Sequence, residues 1–171
     1  MFCCAKCGAD IVHDCRCYTK KGLRGGMIKY IQGDLFTAKN KTLLHACNCH
    51  KTWGSGVAYT FSKLYPEAYE KHREFDATQG DIQVIDGTPA IVCLFTSGGF
   101  GIEIDSPLDI LKYTKASLVK LAEYYKDHKS VEIASPKINA GLFHTPWRST
   151  ERLIENFLKE TPNFSWDVYV L

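Results

Sequence analysis

The segment Leu43–Tyr59, LLHACNCHKTWGSGVAY, predicts a strand, a loop and a helix in succession. It begins as a short apolar run and then breaks into small and polar residues, with two glycines around Ser55. From Gly56 onward, apolar residues recur at steps of three and four, which is typical of a helix. Ligands of α/β sheets bind at the carboxyl ends of strands, and a helix start offers free backbone N–H groups to an anion. The segment therefore predicts half of an anion-binding cleft.

A second segment has the same design. The strand Val131–Ser135 runs into a loop of small residues, Ile138–His144, and a helix follows Trp147. If the two strands are neighbours in the sheet, the two loops face each other across one cleft. Two sets of backbone N–H groups and two helix starts would suit a diphosphate. Neither loop carries Gly-Lys-Ser/Thr or Gly-x-Gly-x-x-Gly, which disfavours an ordinary ATPase or dehydrogenase.

Length and composition favour one globular domain with a small appendage. The chain has 171 residues, of which 45% are hydrophobic and 23% charged. No apolar run approaches the roughly 18 residues of a membrane span, so no membrane partner is expected. A net charge of +2 is too small to hold nucleic acid by phosphate neutralisation alone. The N-terminus lacks the apolar stretch of a signal peptide, so we expect an intracellular protein, cytoplasmic or nuclear.

Residues 1–26 are predicted to be a separate cysteine-rich, basic extension. Five of the eight cysteines fall within its first 17 residues. Cys4, Cys7, Cys15 and Cys17 could supply the four thiolates of a tetrahedral structural zinc. The alternative is a flexible tail that happens to carry cysteines. Residues 27–171 would form the main domain.

Further strands and helices are predicted along that domain. Asp86-Gly87 predicts a turn between two short β-prone runs, and Ser106-Pro107 predicts a helix start. Strands are predicted at 27–32, 42–47, 81–85, 90–95, 131–135 and 166–171. Their alternation with helical segments favours an α/β fold of three α/β/α layers.

His45 and its neighbouring cysteines are candidate reactive groups. His45 lies three residues before the polar loop, where it could be an acid or base, although a histidine in a strand can also be a buried core residue. Cys47 and Cys49 could be nucleophiles. Nothing nearby in the sequence clearly lowers their pKa, so a structural role is favoured.

Five motifs in order resemble the macrodomain family, closest to its branch of ADP-ribose 1''-phosphate phosphatases. They are Gly33-Asp34-Leu35, His45-Ala46-Cys47-Asn48-Cys49, Trp53-Gly54-Ser55-Gly56-Val57-Ala58-Tyr59, Pro136-Lys137-Ile138-Asn139-Ala140-Gly141-Leu142-Phe143 and Val168-Tyr169-Val170-Leu171. The resemblance covers residues 27–171 and excludes the extension. It implies a mixed central sheet and a cleft for ADP-ribose.

The resemblance also implies roles for individual residues. Asp34 would accept from the adenine amino group, Asn48 would hold the distal ribose, and Phe143 would pack against a ribose. Asp34 could instead cap a turn, and Trp53 could be a core residue. The implied ligand contacts are Gly33, Asp34, Leu35, Ala46, Cys47, Asn48, Trp53, Gly54, Ser55, Gly56, Val57, Ala58, Ile138, Asn139, Ala140, Gly141, Leu142, Phe143 and His144.

Two departures from related macrodomains narrow the function. Hydrolases that release glutamate-linked ADP-ribose use a lysine after the central strand and an aspartate in the diphosphate loop. This chain has Thr96 and Ser97 near the first position and Phe143 at the second, which disfavours that activity. His144 stands where a glycine would be usual.

The resulting hypothesis is a phosphatase of ADP-ribose 1''-phosphate that needs no cofactor for catalysis. His45 would be the acid or base, and Asn48 would position the substrate. One alternative is a hydrolase that removes ADP-ribose from a modified protein or nucleic acid. The other is a module that binds ADP-ribose, free or on a macromolecule, without catalysis.

Overall fold

A single mixed β-sheet organises the computed structural model, which describes residues 26–171. Its strands are β1 (Lys29–Gln32), β2 (Thr42–Asn48), β3 (Ile82–Ile85), β4 (Ile91–Ser97), β5 (Val131–Ser135) and β6 (Phe164–Val170). The order across the sheet is β1-β6-β5-β2-β4-β3. All neighbours are parallel except β3, which runs antiparallel to β4. Five strands therefore end at one edge of the sheet, and the predicted mixed sheet is confirmed.

Helices cover both faces of this sheet. They are α1 (Gly56–Leu64), α2 (Pro66–Arg73), α3 (Pro107–Tyr124) and α4 (Trp147–Glu160), with 3-10 turns at Leu35–Thr37 and Gly101–Glu103. One apolar cluster joins the sheet to α1 and α2 and contains Leu43 and Phe61. The other joins it to α3 and α4 and contains Leu44, Leu121 and Ile154. The predicted three-layer α/β/α architecture is confirmed.

Strand β2 lies inside the sheet and contributes side chains to both apolar clusters. Leu43 and Cys47 belong to the cluster on the α1–α2 side, whereas Leu44 and Ala46 pack with the α3–α4 side. Side chains of a strand alternate between its two faces, so a strand covered on both faces is almost continuously apolar. This burial explains why the run before the polar loop shows no polar alternation.

Local sequence signals place the other elements. Ile85 pairs with Ile91 in the predicted hairpin. Helix α3 begins after Ser106, whose hydroxyl accepts from the Asp109 N–H at 3.2 Å, with Pro107 in the first turn. Within residues 26–171, no helix is both long and apolar enough to cross a membrane.

The cysteine-rich extension was predicted to span residues 1–26. All of it except Gly26 lies outside the described residues, and so do Cys4, Cys7, Cys15 and Cys17.

Two leucines of α3 test the assignment of its buried face. Leu121 has no exposed surface, whereas Leu108 is 80% exposed. We expect Leu121→Ala to lower the free energy of unfolding by about 2–5 kcal/mol, because it removes buried methyl groups and leaves a cavity. Leu108→Ala, the same change on the same helix, should stay within about 0.5 kcal/mol. Urea unfolding measures both, and equal losses would contradict the assigned face.

Candidate active site

The cleft opens where β2 and β5 separate. These neighbouring strands pair only at the start of β2 and near the end of β5, Thr42 with Ile133 and Leu43 with Ala134. Their loops then open at the same edge of the sheet, as predicted, and enclose a cleft of about 640 Å³. It is lined by Ala46, Cys47, Asn48, Thr52, Trp53, Gly54, Ser55, Gly56, Val57, Ala58, Phe100, Pro136, Lys137, Ile138, Asn139, Gly141, Leu142 and Phe143.

Most of the residues predicted to contact a ligand line this cleft. The structure does not bring Gly33, Asp34, Leu35, Ala140 or His144 to its wall. Four residues that line it were not predicted as contacts, namely Thr52, Phe100, Pro136 and Lys137.

Those omissions have different causes. Lys137 directly follows the Pro136 that closes β5, so its position could have been recognised in the sequence. Phe100 follows β4, and nothing in the sequence shows that β4 is the neighbour of β2. Phe100 lies in a glycine-rich loop with Gly98, Gly99 and Gly101. The Gly98 N–H donates to the Asp105 carboxylate at 2.7 Å, which leaves that N–H unavailable to a phosphate.

Asn48 braces the first loop and still has capacity for a ligand. Its Oδ1 accepts from the His50 N–H at 2.8 Å, and its Nδ2 donates to the Thr52 carbonyl oxygen at 3.4 Å. An asparagine amide offers two N–H donors and two acceptor lone pairs. One donor and one lone pair of the half-buried Asn48 are therefore left over.

The start of α1 presents backbone N–H groups at the cleft. Ser55, the N-cap residue, makes no side-chain capping hydrogen bond. The first N–H groups of any helix have no partner within the helix. Gly56 has φ +60°, and a Cβ there would lie 3.3 Å from Leu142 Cδ1 of the second loop. The two loops thus approach each other closely at Gly56.

Asn139 anchors the second loop to the protein interior. Its Oδ1 accepts from the Thr96 hydroxyl at 2.7 Å, and its Nδ2 donates to the hydroxyls of Thr114 and Thr150 at 2.9 and 3.3 Å. The Asn139 carbonyl oxygen also accepts from the Thr145 N–H at 2.9 Å. Its side chain is engaged by β4, α3 and α4, so it holds the loop in place from behind.

Backbone conformation accounts for the unusual His144. This exposed residue has φ +50°, in the left-handed region that favours glycine. Histidine is among the residues enriched there. Its N–H donates to the Gly141 carbonyl oxygen at 3.0 Å, which closes the end of the loop.

His45 lies beneath the cleft and does not reach it. Its side chain has no exposed surface, stacks on Phe61 with ring centroids 4.2 Å apart, and meets Trp53 edge-on at 5.0 Å. Trp53 itself is 1% exposed, so its ring belongs to the core as the alternative interpretation held. A direct acid or base role for His45 would require contact with substrate, and this placement gives none.

The cysteines have very different environments. Burial acts to raise the pKa of the Cys47 thiol. A hydrogen bond from Cys93 and the imidazoles of His45 and His72 outweigh this effect, so the pKa lies well below its ordinary value. The sequence-based expectation that nothing lowers this pKa was wrong, because His45 two residues earlier shares its face of β2. Burial, Asp81 and Asp105 raise the pKa of Cys49 to about 11.

Asp34 lies at the same sheet edge, directly after β1. Its Oδ1 accepts from the Phe36 N–H at 3.0 Å, so it caps the turn that follows. Its side chain is exposed and close enough to Tyr65 that its charge, after burial, raises the pKa of that phenol. The second carboxylate oxygen leaves room for a further donor.

Comparison with solved structures defines the class of protein. The macrodomain of Mycobacterium tuberculosis DarG matches 86% of this chain and 99% of its own, with 24% identity and a TM-score of 0.73. Thermosipho africanus DarTG in complex with ADP-ribose matches 85% of this chain and 42% of its own, with 17% identity and a TM-score of 0.70. The chain has the macrodomain fold.

Comparison of sequences then gives the family. The ADP-ribose 1''-phosphate phosphatase of Candida albicans is 37% identical over 164 residues, covering 85% of this chain and 100% of the relative. No family model matches the chain. The chain belongs to the ADP-ribose 1''-phosphate phosphatase family of macrodomains, and the resemblance inferred from its motifs is confirmed.

Two substitutions separate the functions of Asn139. Asn139→Ala removes the hydrogen bonds of the Asn139 side chain to Thr96, Thr114 and Thr150 and also places an alanine at φ +66°. Asn139→Gly removes only these hydrogen bonds. We expect both to lower the free energy of unfolding, with alanine costing about 1–2 kcal/mol more than glycine because of the left-handed backbone. Chemical denaturation measures both. An alanine variant as stable as the glycine variant would contradict the assigned strain.

Proposed function

We propose that this chain hydrolyses ADP-ribose 1''-phosphate to ADP-ribose and phosphate. The observation that carries the proposal is a cleft at the carboxyl ends of β2 and β5 that is lined by the two following loops and by the start of α1. The Candida albicans relative is named for this activity, and a neighbour of the same fold was solved with ADP-ribose.

The cleft suits the ADP-ribose part of this substrate. A volume of about 640 Å³ falls in the usual range for small-molecule sites. Apolar groups such as Val57, Ile138 and Phe143 can cover the ribose rings, while the start of α1 and the second loop receive the diphosphate. Asn48 offers its free donor and lone pair to the distal ribose hydroxyls. Asp34, farther along the edge, accepts from the adenine amino group.

Lys137 supplies the charge that a terminal phosphate requires. It lies at the end of β5, and among the residues lining the cleft it alone carries a formally charged side chain. A phosphate monoester bears nearly two negative charges at neutral pH, and no carboxylate of the lining repels it. We therefore place the 1''-phosphate near Lys137, where the cation stabilises the charge that develops during transfer.

The reaction breaks the bond between phosphorus and the 1''-oxygen. A water oxygen bonds to phosphorus, the water gives up a proton, and the 1''-oxygen takes a proton as ADP-ribose leaves. Phosphoryl transfer demands positioning and charge stabilisation more than covalent chemistry from the protein. Asn48 and Lys137 can serve these two needs directly. The buried His45 can act only indirectly, by holding Cys47 and the floor of the cleft.

The two alternatives find less support in the site. Thr96 is buried and donates to Asn139, and Ser97 donates to the Gly99 carbonyl oxygen, so neither stands in for a catalytic lysine. Phe143 occupies the position of the expected aspartate. A binding module without catalysis would need the same cleft, and only an activity measurement separates it from an enzyme.

One experiment distinguishes the three functions. The purified protein is incubated separately with ADP-ribose 1''-phosphate and with ADP-ribosylated protein, and free phosphate and free ADP-ribose are measured. We expect phosphate release from the first substrate and no ADP-ribose release from the second. Release of ADP-ribose from protein, or tight ADP-ribose binding with neither product, would contradict the proposal.

Lys137→Met tests the proposed phosphate contact. A charge-assisted hydrogen bond is worth about 1.5–3 kcal/mol, so kcat/KM should fall about 10- to 100-fold. Lys115→Met, at an exposed position of α3, is the matched control and should leave kcat/KM within twofold. ADP-ribose binding by calorimetry should change less than kcat/KM, because ADP-ribose lacks the 1''-phosphate. Equal kinetics for the two variants would remove Lys137 from the site.

His45→Phe tests whether the imidazole takes part in proton transfer. Phenylalanine can keep the stacking on Phe61 but cannot hold Cys47 as the imidazole does. We therefore expect kcat to fall while the shape of its pH profile stays unchanged. Loss of one limb of that profile would show that the imidazole itself titrates in the reaction, and would restore the acid or base role.

A further inference from the structure

Phe100 forms a side of the cleft that the proposed chemistry does not use. It follows β4, the strand next to β2 on the side away from β5. Asn48 pairs with Ser97 at the end of β4, so the loop after β4 starts beside Asn48. Among the described residues that line the cleft, Phe100 alone comes from this loop, and it is 49% exposed. Half of an aromatic side chain is therefore free to contact a ligand next to Asn48.

The order of the strands places Phe100 at the opposite end of the site from Asp34. Asp34 directly follows β1, and four strand spacings separate β1 from β4. Adjacent strands lie about 4.8 Å apart, so β4 lies about 19 Å from β1 but only one spacing from β2. With adenine at Asp34 and the distal ribose at Asn48, the part of ADP-ribose nearest to Phe100 is the distal ribose.

Hydrogen bonds hold the backbone of the loop on both sides of Phe100. The Gly98 N–H donates to the Asp105 carboxylate at 2.7 Å, and the Asp105 N–H donates to the Ser97 hydroxyl at 3.2 Å. The Phe100 carbonyl oxygen accepts from the Glu103 N–H at 3.1 Å. The aromatic ring is therefore presented from a backbone that is already fixed before a ligand arrives.

His50 links the Phe100 ring to the first loop. Its imidazole meets that ring edge-on, with ring centroids 5.8 Å apart, and its Nε2 lies 3.5 Å from Glu103 Oε2. The His50 backbone N–H donates to Asn48 Oδ1 at 2.8 Å. Asn48 and Phe100 thus both contact His50, which keeps the amide and the ring at the same end of the cleft.

We propose, building on the function and the ligand orientation given above, that Phe100 packs against the distal ribose and orients it for release of the phosphate. The ring lies on the β4 side of this ribose and Lys137 lies on the β5 side. Contact of the ribose C–H groups with the ring removes apolar surface from water, which adds affinity. The same contact keeps the 1''-phosphate directed towards the Lys137 cation.

His50 is a positioning residue in this arrangement. Its side chain contacts the Phe100 ring, and it is not among the described residues that line the cleft. It therefore acts on the substrate only through Phe100.

Two ligands that differ by the distal ribose test the contact with Phe100. We expect Phe100→Ala to weaken the binding of ADP-ribose about 5- to 20-fold in calorimetry, because it removes apolar contact area. Binding of ADP, which lacks the distal ribose, should stay within about twofold. Phe100→Tyr keeps the ring and should keep most of the affinity for ADP-ribose. Ile102→Ala is the matched control in the same loop, since Ile102 is fully exposed and lies outside the cleft lining.

Kinetics of phosphate release test the orientation of the ribose. Phe100→Ala should lower kcat for ADP-ribose 1''-phosphate as well as raise KM, because a ribose that shifts towards β4 takes its phosphate away from Lys137. His50→Ala should cause a smaller change of the same kind. Combined with Phe100→Ala, it should cause no further loss, since it acts through the ring. Additive losses would remove His50 from this role.

The binding data can overturn the role of Phe100 in three ways. Equal losses of ADP-ribose and ADP affinity would indicate a damaged cleft, and no loss of either, in a variant whose fold circular dichroism confirms, would exclude the contact. Absence of ADP-ribose binding by the unchanged protein would overturn the contact and the proposed function together. The expected binding pattern without release of phosphate would contradict only the phosphatase activity and would leave the ribose contact in place.

Discussion

Everything at the site depends on how briefly two neighbouring parallel strands pair. β2 and β5 pair only through Thr42–Ile133 and Leu43–Ala134, at the start of β2 and near the end of β5, and beyond these pairs the two following loops line the cleft. In open α/β sheets, such a separation between neighbouring strands is where ligands bind. The cleft is therefore a consequence of strand order, and the residues of the two loops determine what it holds.

Hydrogen bonds of two asparagines hold the loops of the cleft in place. Asn139 is hydrogen-bonded to three threonines from three different elements, and Asn48 is bonded to the backbone of its own loop. Preorganised donors stabilise a developing charge without having to reorganise when it appears. Both asparagines thus hold the binding loops in shape, but Asn139 spends both of its side-chain donors on threonines, whereas Asn48 keeps one donor for the substrate.

Local signals in the sequence were enough to predict most of the fold. The apolar run of β2, the N-cap at Ser106 and the turn at Asp86-Gly87 each depend on a few adjacent residues. The cleft required one assumption, that β2 and β5 are neighbours, which the order of the sheet confirms.

What the sequence could not supply were contacts set by register and by backbone rotation. Cys93 meets His45 only because β4 pairs with β2 at a particular register. Asn139 has a positive φ and a side chain bonded to three interior threonines, and nothing in the sequence indicated either feature. One signal was overlooked. His45 and Cys47 are two residues apart in a strand, so they had to share a face.

The backbone of Gly56, more than its contact with the second loop, limits how the first loop can vary. A Cβ at position 56 would lie 3.3 Å from Leu142 Cδ1, and this half-exposed side chain can move by the few tenths of an ångström required. The φ of +60° at Gly56 strains any residue that has a Cβ, whatever position 142 carries. Among descendants of this sequence, position 56 should therefore stay glycine while position 142 varies.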